Sequence, residues 1–326
     1  MLQRGFSLLM ALAAFLGTGG ARAQVADSLA SISYERYPSV SSPRDATGQL
    51  GLQVFRFRAG YPFFLSKQTI LIPGLAYELF DFRQSDGAGV NVGALHAPTA
   101  SLTLAQKFTD RISLIGSVGA GFATDFQDRV SVDDLQFTLT AIGLYKFSDT
   151  FSLGAGISYT RQTGTLTPIP AVALNWQLGD RFRVRGFVPA LLNIEYRATP
   201  WLTAGIRGTF EGNRYHLSEK STGGDNVQLA YSTITVGPKV TFGLSDLLNV
   251  DVYASFAFNR RFEVFVDGDS TGSSYLAPVL FFGARLWVGP SGWRTNAASL
   301  APPPPASPSP SPSESPAPPL KVGTHD

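Results

Sequence analysis

Arg181, Arg183 and Arg185 alternate along one short segment, and Asn193, Glu195 and Arg197 alternate along the next. If both segments are strands, each set stands on one face, because side chains alternate sides along a strand. Guanidinium groups arrayed beside a carboxylate can do two things. In an open pore they favour anions, as rings of Arg or Lys do; in a narrow lumen they pair across strands and fill it. Arg207 and Glu211 fall on the same phase further along the chain, and these eight residues form the expected constriction.

Other chemistry is thinly supplied. The histidines are His96, His216 and His325. His216-Leu217-Ser218 offers the His and Ser pairing of an outer-membrane lipid hydrolase, with Glu211 and Glu219 as nearby carboxylates to orient the ring. The stretch reads as a loop and its histidine as solvated, so no catalytic residue is assigned. His96 has no partner at ligand spacing, so no metal site is assigned. Asp125, Asp128, Asp133 and Asp134, and Asp267 with Asp269, are the oxygen donors calcium takes, but without the spacing of a calcium loop they read as polar loop tips. No Gly-rich stretch opens a helix after a strand to cradle phosphate. With no cysteine there is no thiolate metal site, disulfide or lipid-modified thiol. No cofactor is expected.

The elements that must position the charged set announce themselves by repetition. Leu144 to Tyr159 is two alternating runs joined by a turn too short for a helix, which is a β-hairpin. The same phrase returns at Lys107 to Ile112, Gln177 to Phe182 and Phe242 to Leu247, with a variant at Ala198 to Trp201. Between these turns lie longer excursions rich in Gly, Ser, Asp and Asn. Short turns at one end and long loops at the other mark a membrane barrel. Period two holds in 111–122, where Ile112, Leu114, Val118, Ala120 and Phe122 face one way and Ser113, Ser117, Gly119 and Gly121 the other, with only Ile115 out of place. Along 248–259 the inward set reads Asn249, Asp251, Tyr253, Ser255 and Asn259. These runs reach about ten to twelve residues, the length of a tilted transmembrane strand and longer than strands of a soluble sandwich.

The pattern parses into strands near 28–37, 48–60, 69–83, 98–108, 111–123, 135–147, 151–161, 168–178, 181–188, 191–198, 201–213, 227–242, 248–262 and 275–288. The expected fold is all-β, an antiparallel transmembrane β-barrel of fourteen strands, with twelve as the alternative count. Pro38 to Thr47, Gln84 to Ala97, Thr124 to Asp134, Gln162 to Thr167, Arg214 to Asn226 and Glu263 to Ser274 are the long loops. Phe108, Tyr145, Phe147, Phe151, Trp176, Phe182, Trp201 and Phe242 cluster beside the short turns as an interfacial girdle.

The ends set the compartment. Residues 1–23 hold Arg4, an apolar run from Phe6 to Leu16 and the small-x-small sequence Ala21-Arg22-Ala23, a cleavable secretory signal. Without Arg4 and Arg22 the net charge of +2 falls to zero, which removes any case for a nucleic-acid partner. The barrel occupies 24–290. In the tail 291–326, residues 301–319 carry ten of the 22 prolines, a disordered, semi-rigid spacer of about 55 Å if extended. The expected place is the bacterial outer membrane with both termini periplasmic. The partners are outer-membrane lipid, the assembly machinery during biogenesis, a small solute and, through the tail, the cell wall.

Pro170-Ala171-Val172-Ala173-Leu174-Asn175-Trp176, Phe187-Val188-Pro189, Ile194-Glu195-Tyr196-Arg197 and Leu202-Thr203-Ala204-Gly205 resemble a bacterial family of outer-membrane β-barrels whose domain is of unknown function. The resemblance covers roughly 28–288 and brings no catalytic residues. Taken together, the sequence points to a non-enzymatic, monomeric barrel, a passive conduit or uptake protein for small solutes. The alternatives are a structural barrel with a filled lumen and an anchoring tail, and thirdly a lipid hydrolase.

Overall fold

The computed structural model describes residues 28–41, 49–84, 93–159, 168–224 and 226–289. The signal segment 1–23 and the tail 291–326 lie outside the described residues. The elements in chain order are β1 (Ala30–Ser41), β2 (Gln49–Gly60), β3 (Phe63–Phe64), β4 (Thr69–Gln84), β5 (Ala94–Lys107), β6 (Ile112–Phe122), β7 (Leu135–Lys146) and β8 (Phe151–Tyr159). They continue with β9 (Ile169–Leu178), β10 (Phe182–Val188), β11 (Leu191–Arg197), β12 (Leu202–Leu217), β13 (Val227–Gly243), β14 (Leu248–Val266), β15 (Asp269–Leu276) and β16 (Val279–Val288). Every pairing is antiparallel, and β1 meets β16 with Ala30 opposite Val288, which closes the ring. β3 is a hook on β4. β15 and β16 are two halves of one stave, both paired to β14 and parted at Ala277-Pro278, where proline supplies no ladder donor. The closed transmembrane barrel therefore has fourteen staves, and each expected strand corresponds to one of them.

The short turns share a mechanism. Ser66, Thr109, Ser148, Thr199 and Ser245 each donate their amide to the carbonyl three residues on, at Thr69, Ile112, Phe151, Leu202 and Leu248. The hydroxyls of Ser66, Thr109 and Ser245 accept the amide of that same later residue, the local bond for which Ser and Thr are suited in turns. Lys107 to Asp110 and Lys146 to Asp149, each 2.6 Å, clamp two of them. The turn before β10 uses Gly179 at φ +64 instead, a conformation open to glycine at no steric cost.

Outside, Ile112, Leu114, Val118, Phe137, Leu139, Ile157, Val172, Ile206, Val252 and Leu280 are exposed. A continuous apolar belt of this kind is stable only against lipid. The turn-side aromatics Phe108, Tyr145, Phe147, Trp176, Phe182 and Trp201 are exposed with it.

The walls differ in height. β12, β13 and β14 have 16, 17 and 19 residues, whereas β8 to β11 have 9, 10, 7 and 7. Four stretches expected as loops are partly strand, the first because β1 runs on to Ser41. β12 runs to Leu217 and is followed by one helical turn, α1 (Glu219–Thr222); β14 and β15 continue to a tight turn at Asp267-Gly268, φ +53 and +90; and β5 begins at Ala94. The extra rungs exist because their inward side chains bury against one another. Asn259 departs from its expected inward place: at φ +50 it makes a bulge, is exposed, and puts Arg260 inside instead.

Candidate functional site

The interior is layered along the barrel axis. Nearest the short turns, Glu195 on β11 accepts from Arg183 Nη2 at 2.7 Å, Arg185 Nη2 at 3.3 Å and Lys239 Nζ at 2.7 Å. Lys239 lies on β13, two strands away, and Gly205 of β12 stands between them in register. Its missing side chain leaves the gap that Lys239 crosses, and a Cβ there would collide with the Ile194 carbonyl and sit 3.1 Å from the Glu195 Cα. Asn193 is buried on the same face.

At mid-height Arg56 is the hub. It binds Glu35 at 2.8 Å, Glu78 at 2.5 Å and Glu211 at 2.5 Å. Glu211 comes from β12, five staves round the ring, so this pair crosses the lumen. Arg207 reaches Glu211 at 3.4 Å and covers the ring of Tyr253 at 4.8 Å, while Tyr253 donates to Glu35 at 2.8 Å.

Above the belt, towards the long loops, the tall wall is packed and apolar. Leu52, Val54, Phe80, Phe82, Leu95, Tyr215, Leu229, Tyr231 and Phe281 form one buried cluster. Phe80 of β4 meets Tyr215 of β12 and Tyr231 of β13, each at 5.8 Å, and Phe82 meets Phe262 of β14 at 5.6 Å. These contacts join nearly opposite walls, so this sector is closed by packing. Across from it the inward residues of β5 to β8 at mid-height are small: Ser101, Thr103, Ser117, Thr138 and Thr140 are only half-buried, with Gly119, Gly121, Gly154 and Gly156 among them, whereas nearer the short turns Ile142 and Leu144 of β7 pack with Ile115, Ala173 and Phe187 as a second, smaller apolar cluster. Hydroxyl pairs at 2.9 Å, Thr103 with Ser117 and Thr140 with Ser158, tie the rungs. Inward residues that keep solvent contact mark a hydroxyl-lined lane along this wall.

A strap lies across the mouth. The chain after β6 folds inward, and Thr124 exchanges backbone bonds with His96 of β5 while the Ala123 carbonyl accepts the His216 amide of β12. Asp134 Oδ1 holds His216 Nδ1 at 2.9 Å, Asp125 accepts the hydroxyls of Ser218 at 2.9 Å and Ser221 at 2.5 Å, and Lys220 pairs Asp128 at 2.5 Å. His216 is thus a strand residue with a mostly buried ring, not a solvated loop residue. The Ser218 hydroxyl turns to Asp125 rather than to the imidazole.

Of the eight residues singled out by alternation, Arg183, Arg185, Asn193 and Glu195 come together, and Arg207 and Glu211 join the belt above. Arg181 is exposed at the turn with Nη1 3.2 Å from the Tyr196 hydroxyl, and Arg197 is half-buried at the same rim. The hub itself, Arg56 with Glu35, was missed, although Arg56 shares the phase of Leu52 and Val54 and Glu35 that of Ser31 and Ser33. Asp134 was missed as the partner of His216 because 82 residues separate them.

Residues 67–267, more than half of the chain, match the model of a domain of unknown function (DUF6268). The chain belongs to that family. No curated protein matches this DUF6268 chain. Among solved structures it is similar to a Pseudomonas aeruginosa FadL homologue, at 12% identity and TM-score 0.38, covering 85% of this chain and 92% of that one. It is similar also to the NanC porin, at 7% and 0.36 over 79% and 98%, and to LpxR from Salmonella typhimurium, at 10% and 0.32 over 79% and 99%.

Proposed function

We propose that this DUF6268 barrel is a bacterial outer-membrane conduit for small polar solutes, with its short turns and both barrel ends on the periplasmic side. The observation that carries the reading is the half-buried Ser and Thr lane on β5 to β8, set against a wall whose inward residues are packed. Solute would pass along hydroxyls and then by Arg185, where three cations share Glu195 and the excess positive charge favours anions. Single-channel conductance of the refolded mature protein in a planar bilayer tests it, with selectivity read from a salt gradient. Discrete steps with anion preference are expected; silence from protein shown to be folded and inserted overturns the reading.

Cross-lumen packing of Phe80 against Tyr215 and Tyr231 favours a second reading, a structural barrel with a filled lumen whose proline-rich tail engages the cell wall. That reading requires silence in the bilayer together with loss of sedimentation with peptidoglycan when 301–326 is deleted.

A further inference from the structure

Arg260 is fully buried, and among the described residues no nitrogen of its guanidinium has a hydrogen-bond partner. Its carbon lies 5.4 Å from the centre of the Tyr37 ring, and the Tyr231 hydroxyl, itself without a geometrically formed bond, is beside it. The carboxylates of the belt below are engaged elsewhere, since Glu35, Glu78 and Glu211 all bind Arg56, and Glu263 on its own strand pairs Arg261. A buried guanidinium without an acceptor is costly, since it has lost water and gained only the face of an aromatic ring. The bulge at Asn259 is what turns this side chain inward, so a left-handed residue brings a cation up against the packed apolar cluster. From the rung of Tyr37 towards the mouth the surrounding side chains are Leu50, Leu52, Phe80, Phe82, Leu229 and Phe262, with no charge among them.

We infer that Arg260 receives the carboxylate of an anionic amphiphile, an alkyl carboxylate whose chain lies among those apolar side chains towards the mouth. A carboxylate matches the planar fork of a guanidinium with two parallel bonds, and the Tyr231 hydroxyl can donate a third. An alkyl tail replaces the apolar contacts it displaces, which a small hydrated anion cannot do. The inference concerns the tall wall and does not depend on conduction along the lane.

The test uses the full-length mature protein in lipid nanodiscs, titrated with carboxyl-labelled laurate followed by 13C NMR, with empty nanodiscs giving the lipid-partition baseline. A saturable, displaced carboxyl resonance is expected. Affinity falls about tenfold in Arg260→Met, the loss of one charge-assisted contact. Arg260→Lys, which keeps the charge without the fork, lies between the two and reports even if the Met variant folds poorly. Competition in the wild-type protein needs no variant: acetate and dodecyltrimethylammonium are expected to displace laurate poorly. No saturable binding above the baseline overturns the inference, as does unchanged affinity in folded Arg260→Met. Displacement by acetate as strong as by laurate reduces it to a small-anion site, and displacement by the cationic amphiphile to an apolar pocket; either result overturns it. A protein that binds laurate in this way but never conducts keeps this inference and loses the conduit.

Discussion

The wall made of β12 to β16 with β1, β2 and β4 and the wall made of β6 to β11 are built from the same alternation and end in opposite interiors. On the tall wall the inward positions carry Phe80, Phe82, Tyr215, Tyr231 and Phe281, and the strands extend until those rings are covered. On the low wall they carry Ser117, Thr138, Thr140, Ser152 and Ser158 with glycines between and one small apolar cluster of Ile115, Ile142, Leu144 and Phe187 nearer the short turns, and the strands stop soon after lipid is crossed. Strand length beyond the membrane therefore follows the inward residues, not the outward ones. An apolar inward face stabilises extra rungs by excluding water from one another's side chains; a hydroxyl-lined face gains nothing by growing. The Glu195 layer sits where the two walls meet and ties β10 and β11 to β13, whereas the Arg56 belt joins strands of the tall wall to one another across the lumen.

The largest effect expected is at that junction. Glu195→Ala leaves Arg183, Arg185 and Lys239 with their shared carboxylate gone, and removing one partner of a buried ion cluster costs about 3–5 kcal/mol. Urea unfolding in detergent, followed by heat-modifiable migration, should show it. A loss below about 1 kcal/mol would mean these cations are solvated and the layer is not a packed one. Phe80→Ala comes next, with about 3 kcal/mol lost to the cavity it leaves and a rise in conductance, because Phe80 of β4 reaches across the lumen to Tyr215 of β12 and Tyr231 of β13. If conductance is unchanged, the tall wall takes no part in closing the lumen. Ser117→Phe should do the reverse. Its site keeps solvent contact, so stability changes by about 1 kcal/mol or less, while a ring in the lane lowers conductance; equal conductance would remove the lane from the path.

Much of this contrast was legible in the sequence, and the part that was not has a physical reason. Alternation located all fourteen staves and the Arg183, Arg185, Glu195 group because a tilted strand in lipid must show an apolar outer face at every second position. The same rule fails above the lipid on the tall wall, where both faces are apolar or both are mixed, as in 213–217 and 262–274, and period two no longer distinguishes strand from loop. Arg56 escaped notice because its own phase carries Leu52 and Val54, so alternation along β2 does not mark that face as the inward one. The strap could not be read at all. Asp134 to His216 and Asp125 to Ser218 are contacts across the ring between segments more than eighty residues apart, and nothing local to either segment specifies the other.

The smallest effect separates the strap from the walls it joins. Asp128 is exposed, and the hydrogen bond from Lys220 holds its carboxyl below the usual carboxylate range. A carboxylate whose pKa is depressed on folding contributes stability above its unfolded pKa, and that contribution is lost as pH falls through the lower folded value. The strap should therefore loosen at its Asp128 end only in acid, below the ordinary carboxylate range, while the barrel stays folded. Limited proteolysis of the 123–134 segment with pepsin across falling pH reads this directly. Cleavage should rise in wild type as pH drops and be raised already, with little further pH dependence, in Asp128→Asn. If the two profiles coincide, the exposed pair is merely a surface contact of the kind salt screens away, and the strap is held by Asp125 and Asp134 alone.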